Sequence, residues 1–94
     1  MMKNLIRFIK RIFGVYETGY EYWVYLKDIK ISPQFENTPP RFKKMRQKWS
    51  YYRKTGKFES PIILNRDFEL IDGYTSYCIA NKSEIDKVPV YFKD

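Results

Sequence analysis

The apolar positions of this chain recur with two different periods, and the change from one to the other outlines a fold. Over residues 41–58, RFKKMRQKWSYYRKTGKF, the side chains Phe42, Met45, Trp49 and Tyr52 step by three, four and three, which puts them on one face of a helix. That stripe is expected to be buried. Pro39-Pro40 stiffens the entry, Arg41 reads as the first helical residue, and Gly56 is a natural stop after Thr55.

Past residue 60 the period shortens to that of strands. Residues 61–64 (PIIL) and 68–71 (FELI) are short β-favouring runs, and Asn65-Arg66-Asp67 between them has the composition of a hairpin turn. Asp72-Gly73 closes the second strand and opens a short helix, with Asp72 available as its N-cap and Gly73 letting the backbone turn the corner. A last strand is expected around Val88-Pro89-Val90. Upstream, residues 21–31 (EYWVYLKDIKI) alternate as a strand followed by a bend, with Trp23, Tyr25, Ile29 and Ile31 on one face. Residues 32–40 contain three prolines and read as a loop. At the start, Leu5, Ile6, Ile9, Ile12 and Phe13 recur at helical spacing among Lys3, Arg7, Lys10 and Arg11, so MMKNLIRFIKRIFG predicts a basic amphipathic helix stopped at Gly14. Residues 16–20 then read as a linker with Thr18-Gly19 as the breaker. The expected organisation is an N-terminal helix and linker over residues 1–19, followed by an α+β domain over residues 20–94. In that domain a mixed sheet of about four strands carries packed helices.

The strand-to-helix corner is the first candidate site. The N–H groups of Tyr74, Thr75 and Ser76 in the first turn lack intrahelical partners, and such a turn attracts anions.

Charge changes the picture more than composition does. At 94 residues the chain holds one modest core, and nine Tyr, seven Phe and two Trp mean that rings build it. The net charge is +7, and it is segregated. Arg41, Lys43, Lys44, Arg46, Lys48, Arg53, Lys54 and Lys57 occur with no acidic residue anywhere between residues 37 and 58, whereas Glu59, Asp67, Glu69, Asp72, Glu84, Asp86 and Asp94 follow. The basic helix is therefore expected to contact phosphates, with Tyr51 beside it able to stack on a base of a single-stranded or frayed partner. Lys3, Arg7, Lys10 and Arg11 offer a second contact, while the apolar stripe of the same segment suits the domain, a membrane surface or a homodimer partner. With one cysteine and no histidine, an internal disulfide, a thiol metal cluster, a conventional zinc site and a histidine general base are all excluded. Asp67, Glu69 and Asp72 are the only carboxylates near the corner, and their alternation speaks against convergence on a metal. Cys78 reads as a packing residue. No run is long and apolar enough to span a bilayer, so a cytoplasmic protein is expected.

Taken together, Tyr52-Arg53-Lys54-Thr55-Gly56-Lys57-Phe58, Pro61-Ile62-Ile63-Leu64, Leu70-Ile71-Asp72-Gly73 and Val88-Pro89-Val90 resemble, in order and spacing, the N-terminal domain shared by ParB-type partition proteins, ParB-like nucleases and sulfiredoxin. The resemblance covers residues 24–92 and implies a ParB/sulfiredoxin-like α+β fold. It also implies a departure at the corner. Partition proteins follow the glycine with an acidic residue and two arginines that bind a triphosphate, and sulfiredoxin follows it with a reactive cysteine, but here Tyr74, Thr75 and Ser76 stand there. Arg41 matches the arginine after proline in the family and is expected to aim at this turn. The expectation is a non-catalytic DNA-binding module without a cofactor, using Lys43, Lys44, Arg46, Lys48, Arg53 and Lys54 on phosphates. One alternative is a nucleotide-binding or phosphoester-hydrolysing enzyme built on Asp72, Gly73, Tyr74, Thr75, Ser76 and Arg41. A second is a protein-interaction module.

Overall fold

Two edges of one small sheet are tied together by the chain that leaves its first strand. The computed structural model describes residues 16–93. The elements are β1 (Tyr22–Tyr25), a 3-10 turn (Leu26–Asp28), α1 (Pro33–Glu36), α2 (Phe42–Thr55), β2 (Ile62–Leu64), β3 (Leu70–Asp72), α3 (Tyr74–Lys82) and β4 (Lys87–Phe92). The sheet order is β1-β4-β2-β3, with β4 and β2 parallel and the two outer pairings antiparallel. Immediately after the 3-10 turn, Lys30 bridges Glu69 beside β3, through Lys30 N–H to the Phe68 carbonyl at 2.8 Å and Leu70 N–H to the Lys30 carbonyl at 2.9 Å. The sheet is therefore mixed and curled, and the fold is α+β as expected.

The inner face of the sheet is the core. Along β4, Val88, Val90 and Phe92 are buried while Lys87, Pro89 and Tyr91 are only half-buried, the period of two that the sequence carries. Ile62, Leu64 and Val24 join them from β2 and β1, and Ile79 and Ala80 of α3 are buried as well. At one end of the sheet the ring of Tyr16 stacks on Phe92 at 4.2 Å and meets Tyr22 and Phe68 edge-on. Tyr16 is 4% exposed, so the core reaches back into the stretch read as a linker. The predicted helix over residues 1–14 lies outside the described residues.

Several expectations are corrected. The first strand ends at Tyr25, and Trp23, which shares a face with Tyr25, points outward at 62% exposure, because Val24 and Leu26 take the core side. Phe68 is not in a strand. It sits in the hairpin turn at φ 64°, where its ring drops into the core, and Asn65 Oδ1 holds the turn by accepting from Asp67 and Glu69 N–H at 2.9 and 3.0 Å. The proline-rich stretch is not all loop, since Pro33 at its first turn starts the short helix α1. Arg41 is the N-cap of α2 rather than its first helical residue, and Gly56 closes that helix at φ 72°. Of the predicted stripe, Met45 is buried, Trp49 and Tyr52 are half-buried, and Phe42 is 80% exposed, because α2 packs on α3 rather than on the sheet and its first turn projects past it. Among the described residues no helix is long and apolar enough to cross a membrane.

Candidate functional site

The β3–α3 corner is held by two contacts to one short loop, and α2 adds a third contact to the same loop. Gly73, the N-cap of α3, has φ 87°, a left-handed conformation that glycine adopts without penalty. It lies so close to the α2–β2 loop that a Cβ built on it would stand 2.3 Å from the Pro61 carbonyl oxygen. Ser76 Oγ donates to the Ser60 carbonyl at 2.6 Å, and Lys48 Nζ donates to Ser60 Oγ. Asp72 is therefore not the helix cap that the sequence suggests. It ends β3, and its Oδ1 accepts from Gly73 N–H at 2.8 Å, because the left-handed glycine moves the cap position one residue on.

Beside this corner opens a cleft of about 230 Å³. Its walls are Phe35 and Thr38 from α1 and the turn after it, Lys44 from α2, and Ser60, Asp72, Gly73, Tyr74 and Thr75. Phe35 and Tyr74 pack ring to ring at 5.3 Å, so the short helix α1 forms one side of the cleft. No side chain caps the first turn of α3, and Gly73, Tyr74 and Thr75 line the cleft, so the positive end of the helix dipole lies beside it. The cleft brings together Asp72, Gly73, Tyr74 and Thr75 from the predicted turn. Ser76 is not among its walls, its hydroxyl being committed to Ser60. Arg41 is exposed and is not a wall either, and the cation that lines the cleft is Lys44, one turn further along α2. Sequence reasoning had Lys44 on the phosphate surface alone.

Burial raises the pKa of three groups at and behind the cleft. Tyr74 is pushed up first by desolvation and then by its neighbour Cys78, and Tyr77 likewise. The Cys78 thiol is pushed up by burial, against a smaller opposite pull from the Tyr74 hydroxyl and Lys82. All three are therefore neutral near pH 7. Cys78 is half-buried and shows no thiolate-stabilising surroundings strong enough to offset its desolvation.

The remaining cations of α2 divide by face. Lys43, Arg46, Arg53 and Lys54 are exposed, as is Lys57 just beyond the helix, whereas Lys48 is half-buried and tied to Ser60. Tyr51 is exposed beside them at 41%. Among the described residues no group of three or more His, Cys, Asp or Glu side chains stands close enough to hold a metal ion.

A curled four-stranded mixed sheet, backed by α3 and entered through a glycine corner with a cleft beside it, defines a class of small α+β modules. Its solved relatives identify that class. The chain is similar to a pNOB8-like ParB N-domain structure at a TM-score of 0.67 and 25% identity, covering 80% of this chain and 30% of that one. A second structure of the pNOB8-like ParB N-domain matches at a TM-score of 0.63 and 28% identity, over 80% of this chain and 28% of that one. The C-terminally truncated chromosome-partitioning protein ParB from Caulobacter crescentus, complexed with CTP-γ-S, matches at a TM-score of 0.63 and 13% identity, over 81% and 45%. The fold is that of the ParB N-terminal domain. The chain spans about 30% of the length of the first two of these proteins. No protein-family model and no curated protein matches it.

Proposed function

We propose that this chain is a nucleic-acid-binding module of the ParB N-domain fold, contacting the phosphates of DNA through the exposed cations of α2 without catalysing a reaction. The observation that carries this reading is the segregation of charge. Lys43, Arg46, Arg53, Lys54 and Lys57 are exposed on or just after one helix, in a stretch of sequence with no carboxylate between residues 37 and 58 to neutralise them. Unneutralised cations in a row release counterions when they meet a polyanion, which makes such binding favourable and salt-dependent. A random-sequence labelled duplex, titrated with protein at several salt concentrations and read by fluorescence anisotropy, tests it. If about four to six phosphates are engaged, the log–log slope of affinity on salt is roughly −4 to −5. Absence of saturable binding at low salt would reject the reading.

A second reading is favoured by one specific observation, Lys44 beside the uncapped first turn of α3. In it the cleft takes a phosphate group, as the alternative of a nucleotide-binding or phosphoester-hydrolysing protein requires. The fit is partial. Ligand pockets for molecules of nucleotide size run from about 300 Å³ upward, so a cleft of about 230 Å³ suits a phosphate or diphosphate better than a whole nucleotide. Asp72, in the same cleft, opposes an anion, so attraction rests on Lys44 and backbone N–H groups. CTP with Mg²⁺, or pyrophosphate, is expected to raise the melting temperature by linkage, and Lys44→Met to lose that rise. Melting that ignores both ligands excludes this reading and leaves the first standing.

A further inference from the structure

Phe42 is 80% exposed in the first turn of α2, at the head of the stripe that the helix was expected to bury. One turn on, Met45 is buried, and Trp49 beyond it is half-buried, so the stripe passes from solvent into the packed face. Along it runs an open groove of about 750 Å³. The floor is Phe42, Met45 and Trp49. The rim is cationic, with Arg46, Arg53 and Lys54 from α2 and Lys82 from the last turn of α3, and among the described residues no carboxylate lines it.

The charge of the rim selects the occupant. A second copy of the chain, docked symmetrically on this face, would set four cations against the same four, which like-charge repulsion opposes. Residues 1–15 of the chain itself bring Lys3, Arg7, Lys10 and Arg11, of the same sign again. What complements the groove is a polyanion that also carries flat apolar groups. Duplex DNA offers its phosphates but keeps its bases stacked inside, so it would meet the rim and leave the rings untouched. Phe42 and Trp49 lie seven residues apart on the helix, about 10 Å along its axis, and only a single strand leaves its bases free to reach both rings.

We propose that the α2 groove binds single-stranded nucleic acid, with a base stacked on Phe42, a neighbouring base against Trp49, and the intervening phosphates on Arg46, Arg53, Lys54 and Lys82. The inference rests on the reading of α2 as a phosphate-contacting surface and names the form of nucleic acid that this surface prefers. Phe42 makes the test clean, because a side chain this exposed contributes little to folding.

The experiment uses the Trp23→Phe background, in which Trp49 is the one tryptophan and is excited selectively over the tyrosines, and compares oligothymidylate of about 12 nucleotides with a duplex of equal length at the same salt. Single strand is expected to bind more tightly than duplex and to quench Trp49. Phe42→Ala is expected to weaken single-strand binding by roughly tenfold or more, as removal of a base-stacking ring does, and to leave duplex binding within about twofold. Equal losses for the two nucleic acids, or no loss for either, overturns the proposal. Duplex binding without tighter single-strand binding and quenching also overturns it while leaving the phosphate-contacting role of α2 intact. Binding of neither overturns both. An acidic amphipathic peptide that quenches Trp49 where oligothymidylate does not assigns the groove to a protein partner and overturns the proposal as well.

Discussion

Gly73→Ala is expected to destabilise the domain by at least about 3 kcal/mol, a fall in melting temperature of roughly 12–24 °C for a domain of this size. Two costs add. The backbone there has φ 87°, and an L residue held in that region costs about 1–2 kcal/mol. The new Cβ would also stand 2.3 Å from the Pro61 carbonyl oxygen and 2.8 Å from Ile62 Cα, distances that real Cβ atoms do not tolerate, and both obstacles are backbone. Relief requires the α2–β2 loop to move away from the corner, which breaks the Ser76 to Ser60 hydrogen bond and draws Ile62 out of the core. Gly56 supplies the internal control. Its φ is 72°, yet nothing lies within 4 Å of the position its Cβ would take, so Gly56→Ala isolates the conformational cost at about 1–2 kcal/mol. Chemical denaturation of the two variants separates the contributions. If Gly73→Ala costs no more than Gly56→Ala, the close approach of corner and loop is wrong.

That same corner shows what the sequence could and could not reveal. Asp-Gly after a short apolar run is a local signal, so the end of β3, the glycine turn and the start of α3 were legible from a few residues. β4 was legible for a similar reason, its alternation being set by burial of one face. Partnerships across the fold were not. That Lys48 would turn inward to Ser60 depends on where the α2–β2 loop returns, twelve residues later. That Lys44 rather than Arg41 would line the cleft depends on the phase of α2 against α3. Helical periodicity marks a stripe, but the length of stripe that is covered is decided by the neighbour, and α3 covers Met45 and stops short of Phe42. Tyr16 was hidden for another reason. A lone aromatic among Glu17, Thr18 and Gly19 has no period at all, and only the ring cluster of Phe92, Tyr22 and Phe68 shows why it is buried.

Reversing three exposed cations of α2, Lys43→Glu, Arg46→Glu and Arg53→Glu together, is expected to weaken duplex binding by more than a hundredfold at moderate salt while the domain stays folded. Each lost phosphate contact removes about 0.9 from the magnitude of the salt slope on duplex DNA, so three shrink a slope of roughly −4 to −5 to about −1.3 to −2.3. The three new carboxylates then repel the backbone they replace attraction for. Folding should be nearly indifferent, because the side chains are exposed and such substitutions usually fall within about 0.5 kcal/mol each. Glutamate at position 43 lies in the first turn, where the helix dipole favours it, and at position 53 in the last turn, where the dipole opposes it. Two comparisons give the result its meaning. Lys27, Lys30 and Lys93 are exposed outside α2, and reversing them lowers the net charge of +7 by the same amount, so retention of binding in that variant assigns the effect to the helix rather than to total charge. Lys48→Met should do the opposite of the triple variant, lowering stability through the loss of its bond to Ser60 while leaving the affinity for DNA little changed. If the two triple reversals weaken binding equally, the attraction belongs to the net charge of the chain, and α2 is a solvated face with no privileged contact to phosphate.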